Sequence, residues 1–346
     1  GEEMDQVETR LLWKLGFNLP RYGTAISQLR RRLDEFNNCL LGISSVDTED
    51  EREQVRRSGV NLFVSLEDFL ERLVSFNVWL FSSDHFLDTR FQYNRWDVVA
   101  AVPNILGATV SSGEVIFAWN SGGENTIGTT QAYLHQFLKW LSQRQTIEKS
   151  TVLRSNDDLP HYYQDSNQVF PFYHVEAWAD FDRTEFEVYF EKIQLIAKHL
   201  ARSKLAGIRN KLDHKRPPEQ FPAIDSMLAM VSRVREVVDI ADLNRLIPKR
   251  FWLEDRKIDR YGRGTQILKD YAGRPYSLAI PMPVVSMPKI GFDAPVIISP
   301  GTFLADGAVP LILAVRSTSE YAKYWAGYPR RRQIPPPKEG FSSNGT

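Results

Sequence analysis

Residues 184–214 read TEFEVYFEKIQLIAKHLARSKLAGIRNKLDH, and this stretch decides the fold class expected from the sequence. Phe186, Phe190, Ile193, Ile196 or Ala197, Leu200, Ile208 and Leu212 recur at the three-or-four spacing of one buried helical stripe. Thr184 with Glu187 has the form of a capping box at the start. A break is expected near Gly207, where glycine weakens a helix interior, and the helix otherwise runs to His214. Pro217-Pro218 ends it, because the residue before a proline, Arg216, is pushed out of helical geometry.

Working outward, the same period returns on both sides. A following helix starts near Glu219, with its stripe at Ile224, Leu228, Val231, Val234, Val238 and Leu243. Upstream, Gln131 to Gln143 is helical, and so is a long segment from a capping box at Thr48 and Glu51 to about Ser82, with Gly59 inside it marking a kink or a close helix contact. Thr24 to Leu41 carries Ile26, Leu29, Leu33, Phe36 and Leu40 on one face and puts Arg30, Arg31 and Arg32 mostly off it, as a solvated face. A short helix is expected over Gln6 to Phe17.

Between Asp84 and Thr130 the period changes. Val98 to Val102, Ala108 to Val110 and Val115 to Trp119, punctuated by Pro103, Gly107 and Ser111-Ser112-Gly113, read as strands or a hairpin inserted between helices. Asn120-Ser121-Gly122-Gly123 is a turn, since no Gly-Lys-Ser/Thr follows it. Residues 150–173 form a long aromatic-bearing loop with Tyr162, Tyr163, Phe170, Phe172 and Tyr173 pinning it to the helices. Beyond Pro248, runs at 276–280, 284–285, 296–298 and 311–315 are strand-like. The expectation is therefore a mainly α protein: a helical bundle over 1–246 with inserted strands near 84–130, a small mixed, β-leaning module over 247–329 and a disordered tail over 330–346.

A chain of 346 residues exceeds the usual single domain, which fits two modules. Eight Trp and twenty Phe supply a core that needs no metal or disulfide. Forty-three basic residues balance forty-three acidic ones, so any polyanion site must be a local patch. The one cysteine, Cys39, excludes an internal disulfide and a cysteine-based zinc cluster, and fits the cytoplasm. Neither a signal peptide nor a membrane span is read, and a first residue Gly1 is compatible with a fragment of something larger. No His-x-x-x-His, Gly-x-Ser-x-Gly or phosphate-loop pattern occurs, so no metal and no cofactor is implied.

What remains is Arg209-Asn210-Lys211-Leu212-Asp213-His214. On a helix Asn210 and His214 share a face, and Arg209 stands about 100° to one side, within reach for a long side chain. Histidine exchanges a proton near neutrality, guanidinium grips two phosphate oxygens, and an amide orients either group. This set suits phosphodiester cleavage without metal. Lys211, Lys215 and Arg216 are either the basic patch an RNA backbone needs or ordinary cations at a helix C-terminus. The alternative is that Arg209 pairs with Asp213 four residues on and His214 satisfies the last helical carbonyls. A looser Arg154…His161 pair lacks the Asn and falls in a polar loop.

The Arg209-Asn210-x-x-x-His214 motif, flanked by long helices from about Glu49 to Leu246, resembles the signature of the HEPN superfamily. Its active members are metal-independent ribonucleases of toxin, abortive-infection and antiviral systems. The resemblance implies a HEPN-like bundle in which His214 is general base or acid for attack by the RNA 2′-hydroxyl, Arg209 stabilises the phosphorane-like transition state and Asn210 positions the pair. It further implies a homodimer, or a partner supplying a second motif, and leaves open a catalytically silent sensor in a larger defence complex with a regulatory protein. It does not reach the C-terminal module, and the segments 84–130 and 150–173 exceed a minimal bundle of this kind.

Overall fold

The computed structural model describes residues 25–43, 45–158, 172–213, 217–260, 264–279, 295–304 and 308–315. The expectations for 6–17, 162–170, 284–285 and 330–346 lie outside these residues.

The capping box at Thr48 is formed: its hydroxyl accepts from Glu51 N at 3.3 Å and the Glu51 carboxylate accepts from Thr48 N at 3.0 Å. It opens α2 (Glu49–Ser82), a 34-residue helix and thus about 50 Å long, against which α1 (Ala25–Leu41) packs its expected stripe. Thr48→Ala is expected to cost about 1 kcal/mol, read as a lower urea midpoint at unchanged slope; an unmoved midpoint would show that the cap is dispensable. Gly59 marks a close contact, because a Cβ there would lie 3.3 Å from Leu212 Cδ1 and 3.4 Å from Phe36 Cε2.

Three local readings change. Residues 98–102 are not a strand but part of α3 (Arg95–Leu106), started by Asn94, whose side chain accepts from Trp96 N at 3.1 Å. Val98, Val99, Val102 and Leu106 are buried at helical spacing, so packing overrides the β preference of the valines. The hairpin of β2 (Thr109–Ser112) and β3 (Val115–Ala118) forms as expected, and α4 (Ile127–Arg144) follows from an N-cap at Thr126. The long C-terminal helix is two helices. Asp182, not Thr184, caps α5 (Arg183–Ser203) by accepting from Glu185 N, and Lys204 adopts φ +53, so the break precedes Gly207 and α6 (Leu205–Asp213) is a separate nine-residue helix. After a short 3-10 turn at Pro218–Gln220 comes α7 (Ile224–Leu243).

The expectation of a mainly α bundle is overturned: the described residues form a mixed α/β fold, with seven helices and a six-stranded sheet beside the small hairpin. The sheet order is β1 (Gln92–Tyr93), β8 (Ala308–Val315), β7 (Val296–Leu304), β4 (Arg250–Ile258), β5 (Gly264–Lys269) and β6 (Pro275–Ala279). Its neighbours are antiparallel except β1 with β8, which are parallel. The reason is the two-residue period of β7 and β8. Ile297, Phe303, Leu311 and Leu313 face the helices and join their core, while Val296, Ile298 and Ile312 build a second core with Phe251, Leu253, Leu268 and Leu278. One edge strand, β1, comes from between α2 and α3, so the helical segment itself contributes to the sheet.

Charges stitch the layers together. Lys249 Nζ lies 2.9 Å from Asp242 and 3.0 Å from Asp270, and Arg274 and Arg30 reach Asp242 from the outside. Burial alone would raise both aspartates, but these cations outweigh it and hold Asp242 and Asp270 below the usual carboxylate range. Among the described residues no helix is long and apolar enough to cross a membrane.

Candidate functional site

Leu205, Ile208 and Leu212 are buried and fasten α6 onto α2 and α4. That leaves Asn210 and Lys211 exposed and Arg209 half-buried at the margin. Arg209 Nη1 lies 2.6 Å from Asp213 Oδ2, the intrahelical pair weighed as the alternative from the sequence. Its Nη2 lies 3.4 Å from Glu67 Oε1 on α2, an ion pair without hydrogen-bond geometry. His214, Lys215 and Arg216 lie outside the described residues. The structure thus places Arg209, Asn210 and Lys211 together on one short surface helix and does not extend to the other three predicted residues.

Glu67 had no part in the reading of the motif. Burial pushes its carboxyl up, and Asp213 adds to this, while Arg209 and the Ile127 backbone N–H pull the other way. Ile127 is the first residue of α4, so Glu67 faces the positive end of that helix. One turn along α2, buried Glu71 accepts from Asn125 N at 3.0 Å and Nδ2 at 3.1 Å and pairs with Arg95. Asp68 between them would be raised by burial, but Arg72 and Arg95 hold it lower. The three carboxylates, each facing an arginine, form one row on α2. Its sequence signal was Glu67-Asp68 and Glu71 beside an otherwise apolar stripe, which fixes a helix face but not what it meets.

The other candidates are structural. Arg154 is buried and grips Asp84, donating also to Phe172 O and His174 O at 3.1 Å, whereas His161 lies outside the described residues. His174 Nδ1 sits 2.6 Å from Asp180 and His199 Nδ1 sits 2.6 Å from Glu236. Buried His85 bonds Leu80 O through Nε2 at 2.8 Å. No group of three or more His, Cys, Asp or Glu among the described residues is arranged to hold a metal ion.

The site can hold a guanidinium at a surface where a phosphate can approach, but both Nη atoms already face carboxylates. A phosphate must therefore displace Asp213 or Glu67, whose ion pairs with a part-exposed arginine are individually weak. No protein-family model, curated protein or solved structure matches this chain.

Proposed function

We propose that the chain is a metal-independent endoribonuclease with the chemistry of the HEPN type, acting in the cytoplasm as the effector of a bacterial defence or toxin system. His214 takes the proton of the attacking 2′-hydroxyl, Arg209 neutralises charge developing on phosphorus, Asn210 orients the pair, and Lys211, Lys215 and Arg216 contact the backbone. A second copy, or a partner, supplies the second motif. The observation that supports this is the position of Arg209 and Asn210: neighbours on a helix whose apolar side is fixed and whose polar side is open to a polymer.

The two ion pairs of Arg209 favour a second reading, in which the motif is catalytically silent and the chain is a binding or sensor module of a larger complex. An RNA cleavage assay in excess EDTA separates them. Under the first reading Arg209→Ala and His214→Ala each slow cleavage by roughly 100-fold or more, while Asp213→Asn, which frees one side of the guanidinium, does not. Cleavage that is absent in the native protein, or unchanged in both alanine variants, removes the catalytic assignment.

A further inference from the structure

The second half of α5 and nearly all of α6 carry positive charge with little to balance it. Residues 192–212 hold Lys192, Lys198, Arg202, Lys204, Arg209 and Lys211 and no Asp or Glu, in a chain whose 43 basic and 43 acidic residues cancel. Arginines elsewhere on the helices are mostly held by carboxylates: Arg52 and Arg56 by Glu49, Arg72 and Arg95 by Asp68, Arg235 by Asp34. Arg209 and His199 also face carboxylates, Asp213 and Glu236. Lys198, Arg202, Lys204 and Lys211 do not. All four are exposed, and none makes an ion pair among the described residues.

Their placement makes a track. Lys198 and Arg202 are four apart on α5 and so neighbours on one ridge of it. Lys204 is the left-handed joint between the helices, and Lys211 lies four residues beyond Gly207 on α6. Gly207 is exposed, with nothing within 4 Å of where a Cβ would stand, so the backbone there admits a close approach between the two lysines. The track ends at Arg209 and Asn210, on the same turn of α6 as Lys211.

An anionic membrane and a nucleic acid both attract such a row of cations, and the apolar residues separate the two. A helix lying on a membrane keeps a large apolar face for the lipid. Here Ile193, Ile196, Leu200, Leu205, Ile208 and Leu212 are buried in the helical core, and only Leu195, at 36%, is exposed. Residues 192–212 also lack Phe, Tyr and Trp, so bases have no ring to stack on. What remains is charge for a phosphate backbone.

We propose that α5 and α6 form a track for the backbone of single-stranded RNA, in which Lys198, Arg202, Lys204 and Lys211 contact phosphates and lead the strand to Arg209. The choice of RNA among nucleic acids rests on the ribonuclease reading; the track itself does not. Phosphate contacts carry no sequence information, so binding is indifferent to base sequence.

Fluorescence anisotropy with a 2′-O-methyl oligouridine, which has no attacking hydroxyl, reads binding by the full chain apart from cleavage. Expected is binding at low salt that weakens steeply as salt rises. The triple variant Lys198→Gln, Arg202→Gln, Lys204→Asn should bind at least about tenfold more weakly at about 0.1 M salt, and its slope of log K against log salt should flatten by about two, at about 0.7 per lost contact. Asparagine replaces Lys204 because it tolerates the left-handed backbone. Lys257→Gln, which removes an exposed lysine on β4, should leave affinity and slope unchanged. Unchanged binding in the triple variant, a loss in Lys257→Gln equal to that in Lys198→Gln, or binding to phosphatidylserine–phosphatidylcholine vesicles with none to the oligonucleotide overturns the track. Binding that depends on these cations while unmodified RNA stays intact supports the track and removes only the ribonuclease reading. Cleavage at the native rate by a triple variant with native affinity removes only the track.

Discussion

Arg154→Met is expected to lower stability by about 3–5 kcal/mol, among the largest effects available to a single substitution in this chain. The Arg154 side chain is 1% exposed and that of its partner Asp84 6%. Asp84 Oδ1 also accepts from Phe86 N and Leu87 N, both at 2.9 Å, so it shapes the turn after α2 while neutralising the arginine. Removing the guanidinium strands a buried carboxylate and takes a donor from Phe172 O and His174 O. Urea unfolding measures the loss. Adding Asp84→Asn to Arg154→Met should recover part of it, because the stranded charge is then gone; a single variant within about 1 kcal/mol of the native protein would show that the pair is not a structural pin.

The second large effect is on pH, a few residues away. His85 is buried against Trp79, ring centres 4.6 Å apart, and burial lowers its pKa from 6.5 to about 4, which the Leu80 carbonyl and Asp84 only partly oppose. The unfolded chain takes up a proton near pH 6.5 and the folded chain only near 4. Stability fully present above 6.5 is therefore lost as pH falls through that window, by about 3 kcal/mol in total at 1.36 kcal/mol per pH unit. The lowered aspartates Asp242 and Asp270 act in the same direction, but only below the unfolded carboxylate range. Glu67, raised by burial, acts in the opposite direction. His85→Gln isolates the histidine, since its amide can still donate to Leu80 O. The variant's stability profile between pH 6.5 and 4 should be flatter by about 3 kcal/mol, and coincident slopes would remove the assignment.

The sequence shows α1, α2 and the β2–β3 hairpin because each is governed by local rules: a stripe of spaced apolar residues, a capping box, a glycine turn with φ +64 at Gly113. It misleads at Val98 to Val102, where β-branched residues lie on a helix because Asn94 starts one and α2 receives it. The break expected near Gly207 falls instead at Lys204, a non-glycine residue at φ +53. In the sheet, β6, β7 and β8 fall on runs read as strand-like, while the remaining strands are hidden for another reason. β4 carries a charge on five of its nine positions, and β1 is a two-residue strand whose partner lies far along the chain, so neither periodicity nor length betrays them. At the motif, Arg209 and Asp213 are legible as an intrahelical pair, whereas Glu67 belongs to a helix whose approach no local pattern encodes.

The parallel pairing of β1 with β8 joins Gln92 to Ala314 and Tyr93 to Val315, and Phe91 O accepts from Ala314 N at 2.8 Å. A contact of such sequence separation forms late, because a long loop must close before it is rewarded. On the ribosome, α1 to α7 emerge first and can begin to pack, but the strand that covers Phe91, Tyr93 and the inner edge of β7 arrives only after residue 308. Until then Phe91, Tyr93 and the edge of β7 lack the strand that covers them, an interval in which that edge is open to other chains.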